Sequence, residues 1–134
     1  MRFFSTAHLN KLFDEAALSP RKRTHLNLHA TFDDKVQHLY IAMLKGSFVE
    51  PHYHELPHQW EMFVVLQGVI HFMLYDEDGS VKQSMLIGVG HDVQSIEIQP
   101  HDIHSVECLS DKALLLEIKE GPFKPELAKI FPSW

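Results

Sequence analysis

The chain has 134 residues, 45% of them apolar and 22% charged, with a net charge of −6 when histidine is counted neutral. That length buries one hydrophobic core, and a mildly acidic surface has no global attraction for nucleic acid or anionic lipid. No apolar run approaches the roughly 20 residues of a membrane helix, and the lone Cys108 excludes an intrachain disulfide. Met1–Ser5 also lacks the apolar run of a signal peptide. Together these features predict a cytoplasmic protein with no nucleic-acid or membrane partner.

In chain order, the first segment reads as a helix. Ser5 is its candidate N-cap, Leu9, Leu12, Phe13 and Ala16 recur at helical spacing, and Pro20 closes it. From Arg21 the period changes to two. Arg21, Arg23, His25, Asn27 and His29 share one side of an extended strand, with Leu26 and Leu28 on the other. Short strand-type runs follow at Gln37–Leu44, Phe48–His54, Trp60–Leu66, Val69–Tyr75, Val81–Ile87, Val93–Ile98, His104–Leu109 and Ala113–Lys119. Turn residues separate most of them, and Asp78-Gly79 is a hairpin signal. Many short strands with regular turns predict an all-β sandwich or barrel. The expected organisation is a single domain, 1–134, with a helical segment 1–20, a barrel 21–120 and a tail 121–134 lying over the surface.

The 11 histidines are the unusual feature. His52 and His54 stand two residues apart, so on a strand their imidazoles share a face. Glu61 is the lone carboxylate in an otherwise apolar strand, and burying it unpaired is costly. His104 begins a distant strand and can supply a fourth ligand. His52, His54, Glu61 and His104 are therefore the candidate metal ligands, with His58 competing for the place of Glu61. Three neutral imidazoles and one carboxylate leave a divalent ion with residual positive charge, and a six-coordinate ion keeps two open positions. Iron, manganese, nickel and zinc all suit such a set.

Gly46, His52-x-His54, Glu61 and Gly68 resemble the first cupin motif, with a longer gap between His54 and Glu61. The closest resemblance is to the WbuC family of cupin-fold metalloproteins. It rests on Ser19–His29, Trp60–Gly68, Lys119-Glu120-Gly121-Pro122-Phe123 and the ending Phe131-Pro132-Ser133-Trp134. The resemblance implies a double-stranded β-helix, or jelly-roll barrel, with a short N-terminal helix, a metal site and a homodimer. It also associates the chain with surface-polysaccharide (lipopolysaccharide) biosynthesis, and implies no particular reaction. The second cupin motif departs from the family pattern: Gln99 stands in the proline position, His101 in the glycine position and Cys108 in the asparagine position, while His104 is kept.

Arg21, Arg23, His25, Asn27 and His29 are the candidate substrate-binding residues. On one reading they line the barrel mouth and grip a carboxylate or phosphate; on the other they form a basic edge strand that discourages edge pairing. The sequence thus supports three functions. One is a metal enzyme acting on a small anionic or sugar-derived molecule. The second is a metabolite-binding or sensing cupin, and the third is a cupin stabilised by a closed, structural zinc.

Overall fold

A computed structural model describes all of residues 1–134. Helix α1 spans Thr6–Leu18, and Ser5 Oγ accepts the His8 N–H at 3.1 Å, which satisfies one of the free donors of its first turn. Its apolar stripe, Leu12, Phe13 and Ala16, is buried, and Leu12 and Phe13 pack against Ala42 and Leu114, with Leu9, Leu26, Tyr40 and Leu44 around them. The helix thereby covers the outer face of one sheet.

Nine strands follow: β1 (Arg23–Asn27), β2 (Val36–Leu44), β3 (Phe48–His52), β4 (Glu61–Gln67), β5 (Val69–Tyr75), β6 (Val81–Gly88), β7 (Ser95–Ile98), β8 (Ile103–Cys108) and β9 (Lys112–Glu120). They form two sheets, ordered β1-β2-β9-β4-β7 and β3-β8-β5-β6. Every strand pair is antiparallel. This is the jelly-roll arrangement, with β1 and β3 each at an edge. No helix is long and apolar enough to cross a membrane.

The period-two pattern decides what faces inward. Leu39, Ile41 and Met43 of β2 meet Phe63 and Val65 of β4, Ile70 and Phe72 of β5, Val106 and Cys108 of β8, and Ala113 and Leu115 of β9. Each large side chain fully buried here contributes roughly 1.5–3 kcal/mol. Cys108 is 1% exposed, and burial pushes its thiol up to about 11. Toward one end of the barrel the same inward rows turn polar. Gln37 aligns with Lys119, Lys119 with Glu61, and His52 with His104. The register alone therefore gathers ionisable side chains at one mouth.

Two local features fix that register. Gly68 ends β4 with φ +76°, and a side chain there would collide with the Lys112 carbonyl and the Ala113 Cα. The turn between β5 and β6 centres on Asp76–Ser80, with the Asp76 N–H donating to Ser80 O at 2.9 Å and Gly79 at φ +89°.

Strand boundaries depart slightly from the sequence pattern. β3 stops at His52 after a bulge between Val49 and His52, and Tyr53 then pairs with Ile130 of the tail instead of with β8. β7 begins at Ser95, because Val93 makes only an isolated bridge to Ile87. The tail is more than a surface cover. After a single 3-10 turn at Pro125–Leu127 it runs beside Tyr53 at the polar mouth, and Trp134 packs on Tyr75 with ring centroids 5.4 Å apart.

Candidate metal centre

Four side chains from separate parts of the chain meet at the polar mouth. His52 ends β3, His54 follows the Tyr53 bridge, Glu61 opens β4 and His104 lies at the start of β8. One ligand atom from each lies within 4.8 Å of the others, and all four residues are buried. His52 and His104 are direct cross-strand partners with ring centroids 4.4 Å apart, and Phe72 stacks on His104 at 5.7 Å. His58 is not part of the group, so a carboxylate, and not a fourth imidazole, stands with the three histidines.

The hydrogen bonds show what this group suits. Each imidazole has its Nδ1 against a backbone carbonyl: His52 on Glu50 at 2.8 Å, His54 on Ala128 at 2.6 Å and His104 on Asp102 at 2.8 Å. A carbonyl only accepts, so each Nδ1 carries a proton. In the neutral ring Nε2 then bears the lone pair. Yet Nε2 of His54 and of His104 lie 3.1 and 3.2 Å from Glu61 Oε1, itself an acceptor. Two neutral imidazoles with that tautomer cannot donate to the carboxylate. Either both rings are charged, or a cation sits where the lone pairs converge. Outer hydrogen bonds that fix the tautomer of ligating imidazoles are a regular feature of metal sites. The donor set therefore fits a divalent metal ion.

Without an ion, the charges within the cluster settle as follows. Burial, helped by His104, pushes His52 down to about 3, so its ring is neutral at pH 7. Burial opposes charge on His54 too, but the hydrogen bond and charge of Glu61 outweigh it and raise the pKa. Burial would likewise raise Glu61, yet hydrogen bonds from His104 and His54 hold it well below the usual carboxylate range.

The turn before β8 supports the ligands from behind. His101, in the position where the family pattern has glycine, takes φ +73°, so the backbone keeps the turn despite the side chain. Its N–H donates to the His54 carbonyl at 2.8 Å. Asp102 accepts from the Gln99 N–H at 3.0 Å and offers its own carbonyl to His104.

The cluster forms one wall of a cavity of about 220 Å³. Arg21, Arg23, His25, Asn27 and His29 all line it, although only Arg23–Asn27 is regular strand. Leu26, between them, packs toward α1 instead. Burial first, then the charges of Arg21 and Arg23, lower His25 to about 4. His25 is exposed over more than a third of its surface, so solvent screens part of that effect. Sequence reasoning missed three cavity residues: Glu117 and Lys119 of β9, and Lys129 of the tail. Burial, then the neighbouring Glu61 charge, pushes the Glu117 carboxyl up to about 8. Its signal was present, since Glu117 interrupts the inward row Ala113, Leu115 as Glu61 interrupts its own strand. Lys129 had no such signal, because contacts of the tail with Tyr53, His54 and Gln59, distant in the chain, bring it there.

Comparison with solved structures identifies the fold. Oxalate oxidase in complex with the substrate analogue glycolate aligns with a TM-score of 0.63 and 14% identity, covering 84% of this chain and 56% of that one. The chain thus spans about half the length of that protein. The capsular polysaccharide assembling protein CapF from Staphylococcus aureus aligns at 0.65 with 19% identity over 84% of this chain and 32% of its own. A point mutant of Bacillus subtilis oxalate decarboxylase OxdC aligns at 0.61 with 16% identity over 81% and 27%. These likenesses show the cupin fold. Comparison with curated proteins finds no match. The family model described as "Domain of unknown function (DUF6016)" matches residues 4–87, more than half of the sequence, and the chain belongs to that family, built on a cupin barrel.

Proposed function

We propose that this protein is a divalent-metal cupin that binds a small anionic metabolite at the mouth of its barrel. His52, His54, Glu61 and His104 would hold the ion. The observation that carries the reading is that all three imidazoles have Nδ1 committed to backbone carbonyls, which leaves Nε2 free, and that one ligand atom from each ring and from the buried Glu61 lies within 4.8 Å of the others. A bound ion with open positions would polarise a ligand carboxylate or carbonyl. Arg21 and Arg23 would orient that ligand's charge, and Asn27 and His29 would bond its hydroxyls. Met43, Val49 and Val106 among the cavity walls would exclude water from its carbon skeleton. The resemblance to WbuC proteins and the likeness to CapF support a sugar-derived acid as the natural ligand, with a place in surface-polysaccharide biosynthesis.

Elemental analysis of protein purified without chelators or a histidine tag tests the first half, with a stoichiometric transition metal expected. Calorimetric titration with malate, which has one carboxylate for the ion and one for the arginines, tests the second. Arg23→Ala should weaken binding by about tenfold, the magnitude of one charged hydrogen bond, with metal content unchanged. A metal-free protein, or an affinity that does not move, would overturn the reading.

A further inference from the structure

The tail is tied to the metal centre at several points. Tyr53 and Ile130 exchange backbone hydrogen bonds of 3.0 and 2.9 Å, and Gln59 Nε2 donates to the Leu127 carbonyl at 2.8 Å. The Ala128 carbonyl accepts from His54 Nδ1. Lys129 follows immediately, and its side chain lines the same cavity as Arg21, Arg23 and Lys119.

The chain carries 12 basic residues against 18 acidic ones, yet four of the basic ones converge on this single cavity. Its walls hold only two carboxylates, Glu61 and Glu117. Glu61 is occupied by two histidines, and Glu117 is paired with Lys119 at 3.6 Å. The guanidinium of Arg23 reaches only neutral oxygens: the Arg21 and Phe48 carbonyls and Ser47 Oγ, at 3.3–3.5 Å. The side chains of Arg21 and Lys129 make no hydrogen bond or ion pair. Like charges gathered in a concave, low-dielectric setting repel one another and draw in a counter-anion. The protein's overall negative charge makes this local excess a property of the cavity and not of the surface at large.

We propose that Lys129, carried by the C-terminal strap, joins Arg21 and Arg23 in a second anion subsite apart from the metal ligands, so that the ligand is a hydroxy acid bearing a further anionic group. The first acid group engages the ion, which rests on the function proposed above. The further group, phosphate or carboxylate, neutralises the three free cations. Because Lys129 is adjacent to Ala128, engaging it also braces the carbonyl that orients His54.

Calorimetry on the metal-loaded full chain separates the two groups, using glycerate, 3-phosphoglycerate and malate. The wild type should bind at least one of the two-headed acids about tenfold more tightly than glycerate. Preference for 3-phosphoglycerate identifies the further group as phosphate, and preference for malate as carboxylate. Lys129→Ala should remove most of that preference and leave glycerate affinity within about twofold, while Lys129→Arg restores it. An equal loss for all three acids would reduce Lys129 to a strap anchor and overturn the subsite. So would a wild type with no preference, or a variant that keeps it. Failure of the metal reading looks different: glycerate binding is then absent from wild type and variant alike, while inorganic phosphate still binds the wild type and is lost in Lys129→Ala.

Discussion

Removing His54 isolates the contribution of the metal to the folded state. An ion that binds only the folded chain stabilises it by RT ln(1 + [L]/Kd), about 2.7 kcal/mol when the free ion stands at 100 times its Kd. In a domain of this size each kcal/mol moves the thermal midpoint by about 3–5 °C, so chelation should lower the wild-type midpoint by about 10 °C. His54→Ala takes away one of four ligands and strips the Ala128 carbonyl of its donor. The substitution also opens a cavity at a residue that is 9% exposed, which costs stability whether or not metal is present. The informative quantity is therefore the chelator-induced difference, measured by scanning calorimetry beside metal content. In the variant that difference should shrink to about 2 °C or less, with metal below stoichiometry. A variant that kept full metal and the full chelator shift would refute convergence of these residues on one ion.

Two further outcomes follow from the backbone and the titrating groups. His101→Gly relieves a left-handed residue but adds freedom to the unfolded chain, for a net gain of about 0.5 kcal/mol in urea unfolding; a clear loss would mean that the packing of its ring on Tyr53, with centroids 6.1 Å apart, matters more than the turn. Chelated Glu117→Gln, which lacks the opposing raised carboxyl of Glu117, should lose stability as pH falls from about 6.5 toward 4, because the unfolded chain takes up protons that folded His52 and His25, with depressed pKa values near 3 and 4, refuse. Buried His52 gives a slope of up to about 1.4 kcal/mol per pH unit, and exposed His25 a smaller one because solvent screens it. His54, whose pKa is raised, contributes in the opposite sense and reduces that slope, and Glu117 flattens it further in the wild type. Stability that rose on acidification across this range would contradict the assignment.

The fold was legible because short strand-type runs recur between turn residues. Gln37–Leu44 and Trp60–Leu66 declare strands that supply core residues such as Leu39, Ile41, Phe63 and Val65, and Gly68 and Gly79 mark turns that other residues cannot make without strain. The candidate metal ligands were legible for a related reason. Glu61 breaks an apolar strand, and a buried charge needs a partner. What the sequence could not show was assembly across the sheets. The meeting of Glu61 with Lys119 in the cavity depends on the register of β4 against β9. The role of the tail depends on its contacts with His54, Gln59 and Tyr53, the last made possible by the bulge that releases Tyr53 from β8. Neither follows from local pattern, since both are fixed by segments distant in the chain.

The position of Cys108 has a practical consequence. Its sulfur lies among the packed side chains, turned toward the carbonyls of Met43 and Ser110, with its acidity suppressed by the surrounding hydrocarbon. Alkylating reagents attack the thiolate, so they can reach this atom only when the barrel itself opens. The native chain thus carries its own single-site reporter of global opening, and the labelling rate with and without an added ion or acid would read out ligand-induced stabilisation without a dye, a tag or a substitution.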